Sequence, residues 1–283
     1  MIFKDILKEK IHHDLGFDFY TKDGAPDATF SVLVKEKAVL CGMIFVPTIV
    51  KLVDEEFFLE PLDRTASPAV RAIRKDGETV AAGEAVAEIS GNAEVLLKAE
   101  RTICNVISEL SGIATHVSKQ LSVVGGNVVL LDTRKDDPLM RPDHKYAVRV
   151  GGARNHRAGF YDGILIKDND ISVYGGIRQA IDARIAEGKF LTRIEIEVGN
   201  LNDLRMVLDD GRVDAILLDN MSPSTLREAV SSITKSGRPY LVEASGIGEY
   251  DIQEIAGTGV GFISLSSLVR KASYTDVSMK AIR

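Results

Sequence analysis

Leu131 to Asn169 reads LDTRKDDPLMRPDHKYAVRVGGARNHRAGFYDGILIKDN, and it brings Arg134, Lys135, Arg141, His144, Lys145, Arg149, Arg154, His156, Arg157 and Lys167 into one stretch. The chain as a whole carries a formal net charge of -6, so this concentration of cations runs against its balance. The cations do not form a continuous basic run of the kind that marks a tail or a nucleic-acid patch. They are interleaved with glycines and with two apolar runs, Val128 to Leu131 and Gly163 to Ile166, that have the length and composition of buried strands. Arg134 and Lys135 follow one such strand and Lys167 follows the other. In parallel α/β folds ligands bind at the carboxyl ends of strands, where the loops converge. Several cations at such a place imply a multiply anionic ligand. Arg141, Arg149 and Arg154 fit equally well as solvated loop charges, the usual fate of the residue type.

Working outward, the second half alternates. Strands are expected at Val128 to Asp132, Gly163 to Lys167, Arg193 to Val198, Ala215 to Asp219, Tyr240 to Ala244 and Phe262 to Leu265. Helices are expected at Val173 to Glu187, Leu201 to Asp209, Pro223 to Thr234 and Tyr250 to Ala256. Repeated βα units predict a parallel sheet, and short strands favour a barrel over an open sheet. The strands are fewer than the eight of a complete barrel, so an incomplete one is expected. Glu197, Asp219, Glu243, Ser245 and Gly246 recur at the same strand ends, a phase that solvated charges need not keep.

The first half is a smaller α+β unit. Ile2 to Leu15 has a helical pattern that stops at Gly16, and Thr29 to Val34 and Ala38 to Cys41 read as strands. Val46 to Glu56 has helical spacing, and β-like signals run from Leu59 to Glu94, with Val70 to Lys75 and Ala85 to Ile89 clearest. Val95 to Leu121 then gives long helical segments interrupted at Ser111 and Gly112. Arg101 lies on the first of them, where spacing alone makes it an ordinary surface arginine.

Composition narrows the classes. The 283 residues are 45% hydrophobic and 27% charged, enough for a sizeable core in one or two domains. An acidic chain lacks the basic face of a general nucleic-acid or membrane-surface binder. No apolar run spans a bilayer and the N-terminus lacks the apolar core of a signal peptide, so a cytoplasmic protein is expected. Cys41 and Cys104 sit among apolar neighbours and read as buried, reduced thiols. His12, His13, His116 and His144 show no metal-ligand spacing among them, and GTGVG at Gly257 to Gly261 follows a helix instead of opening one, which fails the context of a dinucleotide loop.

The chemistry of the strand-end set has two parts. Arg and Lys grip carboxylates and phosphates. Glu197 and Asp219 suit either Mg²⁺ or sugar hydroxyls, and Ser245 and Gly246 can offer backbone N–H groups to a phosphate. His156 suits orienting a carboxylate or acid-base work, and a structural role equally.

The ordered segments HDLG near Asp14, ERTICNVISELSGIAT from Glu100, DTRK from Asp132, KYAVRVGGARNHRAGFYDGILIKDN from Lys145, EIEV from Glu195, LLDNMSP from Leu217 and EASG from Glu243 are specific together. The chain resembles the quinolinate phosphoribosyltransferases over essentially its full length. The resemblance implies a small N-terminal α/β sandwich over residues 1–110, joined by residues 271–283, and an open α/β barrel over residues 111–270. It also implies a homodimer whose active site takes Arg101 from the neighbouring subunit. By the same likeness Arg134, His156, Arg157 and Lys167 form the pocket for the pyridine dicarboxylate, and Lys135 lies between the two substrates. Glu197 and Asp219 hold the ribose hydroxyls and Mg²⁺, while Ser245, Gly246 and Ser266 belong to the 5′-phosphate region. The reaction implied is transfer of phosphoribosyl from phosphoribosyl diphosphate to quinolinate, with decarboxylation. The sequence leaves two rivals: a phosphoribosyltransferase for another anionic heterocycle, of the molybdenum-locus type, and a non-catalytic ligand-sensing barrel.

Four departures from the family pattern stand out. TRKTTPG becomes TRKDDPL, introducing Asp136 and Asp137. KDNH becomes KDND at Asp170, EASGGI becomes EASGIG, and the segment after the last strand reads SSLVRK from Ser266 to Lys271.

Overall fold

The computed structural model describes residues 2–15, 25–56, 67–188, 190–248 and 250–282. The expected stop at Gly16 and the β-like signals at the start of the segment from Leu59 lie outside the described residues. The chain divides into two compact units, one of Met1–Ser118, Pro142–Gly152 and Lys271–Arg283, the other of Lys119–Arg141 and Ala153–Arg270.

The first unit holds α1 (Ile2–Leu15), β1 (Asp27–Val34), β2 (Ala38–Val39), α2 (Val46–Glu56), β3 (Ala69–Ala72), β4 (Thr79–Val80), β5 (Glu84–Asn92) and most of α3 (Ala93–Val124). Alternation along β1 turns Phe30, Val32 and Val34 inward. They pack in one cluster with Leu40, Ile49, Val53, Ile89, Ile103 and Ile107. β1 pairs antiparallel with β5 on one side, and on the other with a strand from the end of the chain, Val277 meeting Val34 and Ala281 meeting Phe30.

α3 runs unbroken through Ser111 and Gly112, contrary to the interruption expected there. Ser111 Oγ accepts from Cys41 N at 2.9 Å and donates to Cys41 O at 3.0 Å. A Cβ on Gly112 would lie 2.1 Å from Ser273 O. Both residues serve close packing across the unit and break nothing.

The rest of the chain gives β6 (Val129–Leu131), α4 (Arg141–Val150), β7 (Ile164–Ile166), α5 (Asp168–Tyr174), α6 (Ile177–Glu187), β8 (Ile194–Val198), α7 (Leu201–Asp210), β9 (Ala215–Asp219), α8 (Pro223–Lys235), β10 (Leu241–Ser245), α9 (Ile252–Ala256), β11 (Phe262–Ser264) and α10 (Ser267–Arg270). β12 (Val277–Ala281), the C-terminal strand beside β1, belongs to the first unit. α4 was not anticipated; its charges read as loop, yet Asp143, His144 and Lys145 are buried in it. The single helix expected over Val173 to Glu187 is two, because Gly175 ends α5 in the left-handed conformation at φ 82.

The second unit is built on one parallel sheet in the order β6-β11-β10-β9-β8-β7. Consecutive strands lie side by side from β7 to β11, and β6 closes beyond β11, the order of a barrel. No pairing joins β6 to β7 among the described residues, so the barrel is open there. Its edge is lined instead by Arg154, which forms a parallel bridge to Leu131. β9 is buried on both faces, as the apolar run Ala215 to Leu218 requires. Three of the helices between strands, α7, α8 and α9, begin on side-chain caps: Asn200 accepts from Asn202 N and Asp203 N, Ser222 from Thr225 N, and Asp251 from Gln253 N. These caps fix where each strand-to-helix loop ends and so where the strand-end side chains stand. No helix among the described residues is long and apolar enough to cross a membrane.

Candidate active site

A cleft of about 330 Å³ opens at the carboxyl ends of the parallel strands. Thr133, Arg134, Lys135, His156, Arg157 and Lys167 reach it from loops, Asp168 from the first turn of α5, and Leu165, Glu197, Leu217, Asp219, Glu243, Ser245 and Ser264 from the strands themselves. The strand residues share one face because side chains alternate. Registers confirm it: Glu197 lies opposite Leu217, Leu217 opposite Glu243, and Asp219 opposite Ser245.

Most of the expected residues therefore meet in one place. Arg101 is exposed on α3 in the other unit, and neither it nor Gly246 nor Ser266 is among the lining residues. Ser264, buried and two residues before Ser266, does line the cleft.

The cations are held from behind. The buried Asp132, at the end of β6, accepts from His156 N at 2.8 Å and from Asn155 Nδ2 at 2.7 Å. Arg157 Nη1 donates to Gly163 O at 3.1 Å. The Arg134 and Arg157 guanidinium carbons lie 4.4 and 5.1 Å from the centroid of the Phe160 ring, which is 79% exposed. One aromatic ring thus serves two like charges. Burial, and then the Arg134 charge, hold the Arg157 pKa below its ordinary value. Arg134 Nε is buried and finds no hydrogen-bond partner among the described residues, a cost that an arriving anion would relieve.

Lys167 Nζ lies 2.7 Å from Glu197 Oε2, and the Lys167 backbone N–H donates to Asp170 Oδ2 at 3.0 Å. Asp170 is in turn gripped by Arg184, whose guanidinium also lies over the Tyr174 ring. Two of the departures thereby acquire roles. Asp170 caps α5 and ties it to α6. Asp136, its side chain only 2% exposed, pairs with Arg141 at 2.8 Å, and Arg141 Nη2 donates to Arg134 O at 3.4 Å. On the far side Asn220, at φ 54, donates from Nδ2 to Asp219 and from its backbone N–H to Ser245 O. Gly246 turns beside it at φ 62, where a Cβ would lie 2.3 Å from Asn220 Oδ1.

One cluster went unrecognised in the sequence. His156 Nε2 lies 3.0 Å from Glu195 Oε2 and 3.5 Å from Glu243 Oε2. Burial disfavours a charged ring, but the hydrogen bond to Glu195 and the charges of both acids outweigh it and raise the His156 pKa. Burial, together with the Glu195 charge, pushes the Glu243 carboxyl up to about 7. The ligand atoms of these three residues all fall within 4.8 Å of one another. Period-two alternation was the available signal, since Glu195 precedes Glu197 by two on β8 and Glu243 precedes Ser245 by two on β10.

Two family models match the chain. The one described as quinolinate phosphoribosyl transferase, N-terminal domain, covers residues 14–111, and the corresponding C-terminal domain covers residues 113–280. A probable nicotinate-nucleotide pyrophosphorylase (carboxylating) of Methanocaldococcus jannaschii is 33% identical over 98% of this chain and 96% of its own length. Its counterpart in Bacillus subtilis is 34% identical over 96% of this chain and 92% of its own. The solved structure of the nicotinate-nucleotide pyrophosphorylase from Francisella tularensis superposes with a TM-score of 0.85 at 32% identity, covering 99% of this chain and 97% of that one.

Proposed function

The chain belongs to the quinolinate phosphoribosyltransferase family, and from that premise we propose how its own residues carry out the transfer. The activity is that of a phosphoribosyltransferase in NAD biosynthesis. Quinolinate and phosphoribosyl diphosphate are consumed, and nicotinate mononucleotide, diphosphate and CO₂ are formed.

One observation carries the assignment of roles: Arg134, Lys135, Arg157 and Lys167 share a single cleft with Glu197, Asp219 and Ser245. Arg134 and Arg157 take the two carboxylates of quinolinate, for which planar guanidinium groups are suited. Lys135, exposed on its loop, lies between the substrates. Glu197 and Asp219 accept hydrogen bonds from the ribose hydroxyls, and Ser245 with the Gly246 turn receives the 5′-phosphate. The C–O bond to diphosphate breaks as the quinolinate ring nitrogen forms its bond to the same ribose carbon. Positive charge grows on the sugar, where the two acids stand, and negative charge on the diphosphate, where the lysines stand. The carboxylate beside the quaternised nitrogen then leaves as CO₂. Its bonding electrons stay on the ring carbon, stabilised by the adjacent cationic nitrogen, until a proton from water replaces it.

Glu197 and Asp219 are also the donor set that Mg²⁺ uses, one or two carboxylates completed by water and substrate phosphates. The ion, when bound, neutralises charge on the departing diphosphate. The reading extends to a homodimer in which Arg101 of a second copy completes the cleft, and to a cytoplasmic location. Exposure of Arg101 supports the first, and the absence of a membrane-crossing helix among the described residues is compatible with the second.

The test is diphosphate release with Mg²⁺ and phosphoribosyl diphosphate, with and without quinolinate, while nicotinate mononucleotide is followed in the same tube. Release that requires quinolinate and equals mononucleotide formation is expected. Release with another heterocycle but not with quinolinate would move the protein to a different substrate, and quinolinate binding without release would make it a sensor.

A further inference from the structure

Quinolinate carries its two carboxylates on adjacent ring carbons. Two guanidinium groups that take one each must stand close together, and like charges held close repel. The repulsion is visible in Arg157, whose pKa is depressed by burial and then by the Arg134 charge. An acid set between the two cations would quiet it, but would also compete with the carboxylates of the ligand. The group that lies beside both is a phenyl ring.

The Phe160 ring centroid is 4.4 Å from the Arg134 guanidinium carbon and 5.1 Å from that of Arg157. The residue is 79% exposed, so packing in the core does not account for where it stands. A turn does. Asp162 accepts from Ala158 N at 2.8 Å and from Gly159 N at 3.1 Å, closing the short segment that carries Phe160. Arg157, just ahead of that segment, is tied to its far end where Nη1 donates to Gly163 O at 3.1 Å. The ring is thus fixed relative to Arg157 by local bonds, and from there it meets Arg134 on the loop after β6. Both arginines line the cleft and Phe160 does not. A ring attracts a cation through its π-electrons and uses none of the N–H donors that grip a carboxylate.

We propose that Phe160 is a positioning residue for quinolinate, its ring holding the Arg134 and Arg157 guanidinium groups together at the spacing of two vicinal carboxylates before the ligand arrives to neutralise them. The proposal rests on the cleft being the quinolinate site. It adds a residue that acts on the substrate only through the two groups that touch it.

The π-electrons carry the effect, and apolar bulk does not. The informative variants are therefore F160L, which keeps the bulk, and F160W, which keeps the π-system. F160L is expected to raise KM for quinolinate roughly five- to thirtyfold, the range that two exposed cation–π contacts supply. KM for phosphoribosyl diphosphate and kcat should hold, the pattern of an interaction equal in ground and transition states. F160W is expected to recover most of the loss. Both variants should keep the wild-type urea midpoint, because the side chain is exposed. A second readout needs no substrate: the ring current at position 160 shifts the NMR signals of the Arg134 and Arg157 side chains in the wild type and not in F160L. Failure of the wild-type protein to release diphosphate with quinolinate would count against the function, whereas absence of those shifts would overturn the role of Phe160. Wild-type KM values in F160L would overturn it too, as would equal rises in KM for both substrates, a lowered urea midpoint in F160L, or an F160W no better than F160L.

Discussion

Lys167 Nζ and Glu197 Oε2 lie 2.7 Å apart, so the cation after β7 and the acid on its neighbour β8 neutralise each other before any substrate arrives. Each limits the other's reach into the cleft, and substrate binding must redistribute the pair. Lys167 is 45% exposed in its side chain, and an exposed pair contributes little to stability. K167A and E197Q are each expected to lower kcat/KM by about a hundredfold, with the unfolding midpoint almost unchanged in urea. A loss of stability that accounts for the loss of activity would assign the pair to the scaffold.

Lys135 is exposed, with its backbone N–H on Thr133 Oγ1 at 3.1 Å. Packing gives it no structural duty. K135A is expected to cut turnover strongly while circular dichroism stays that of the wild type. Unchanged turnover would remove Lys135 from the mechanism.

Asp170 joins the Lys167 backbone to Arg184. Losing such a cap costs about 1 kcal/mol. D170A should therefore show a lower denaturation midpoint as well as reduced turnover through Lys167. Burial opposes the Asp170 charge, yet Arg184 and the Lys167 N–H hold its pKa below the usual value. Stability from a depressed carboxyl is complete above its unfolded pKa of about 3.9 and lost as pH falls through the folded one. The gap between wild type and D170A should close only in that acid range.

For Glu243 the sign is reversed. With its pKa pushed up to about 7 by burial and by Glu195, the folded protein holds a proton there that the unfolded chain has released. Stability from this group therefore falls as pH rises from about 4.5 to 7. E243Q, which cannot lose that proton, should gain stability relative to wild type across the same interval when urea midpoints are compared. A pH-independent difference would show that Glu243 does not titrate there.

A methyl group on Gly112 would overlap Ser273 O at 2.1 Å, a backbone atom that cannot turn aside. G112A is expected to cost about 1–3 kcal/mol in equilibrium unfolding, the range for overpacking. A neutral result would mean that the C-terminal segment shifts freely along α3.

How much was legible depended on how local the cause was. Ala215 to Asp219 and Val46 to Glu56 stand at the expected bounds because a continuous apolar run and a helical stripe each declare themselves within a dozen residues. The break read into α3 failed for the opposite reason. Ser111 and Gly112 are chosen for Cys41 and Ser273, partners that no local window contains. α4 was hidden by its polar residues, of which Asp143, His144 and Lys145 are buried by tertiary packing. In the cleft, the cations were visible because strand ends are visible. Glu195 was not, since its importance comes from Glu243 and His156 on other segments.

The pair formed by Asp136 and Arg141 has a consequence for descent. Asp136 is almost wholly enclosed, and Arg141 satisfies it while also reaching the Arg134 carbonyl. Removing either partner of a buried ion pair strands the other, at a cost of about 3–5 kcal/mol. A lineage can therefore neither acquire nor discard the acid alone without passing through a crippled ancestor. The two positions should be inherited as one character, and the segment TRKDDPLMR, with its acid at Asp136 and its arginine at Arg141, should mark a branch of the family instead of recurring sporadically across it.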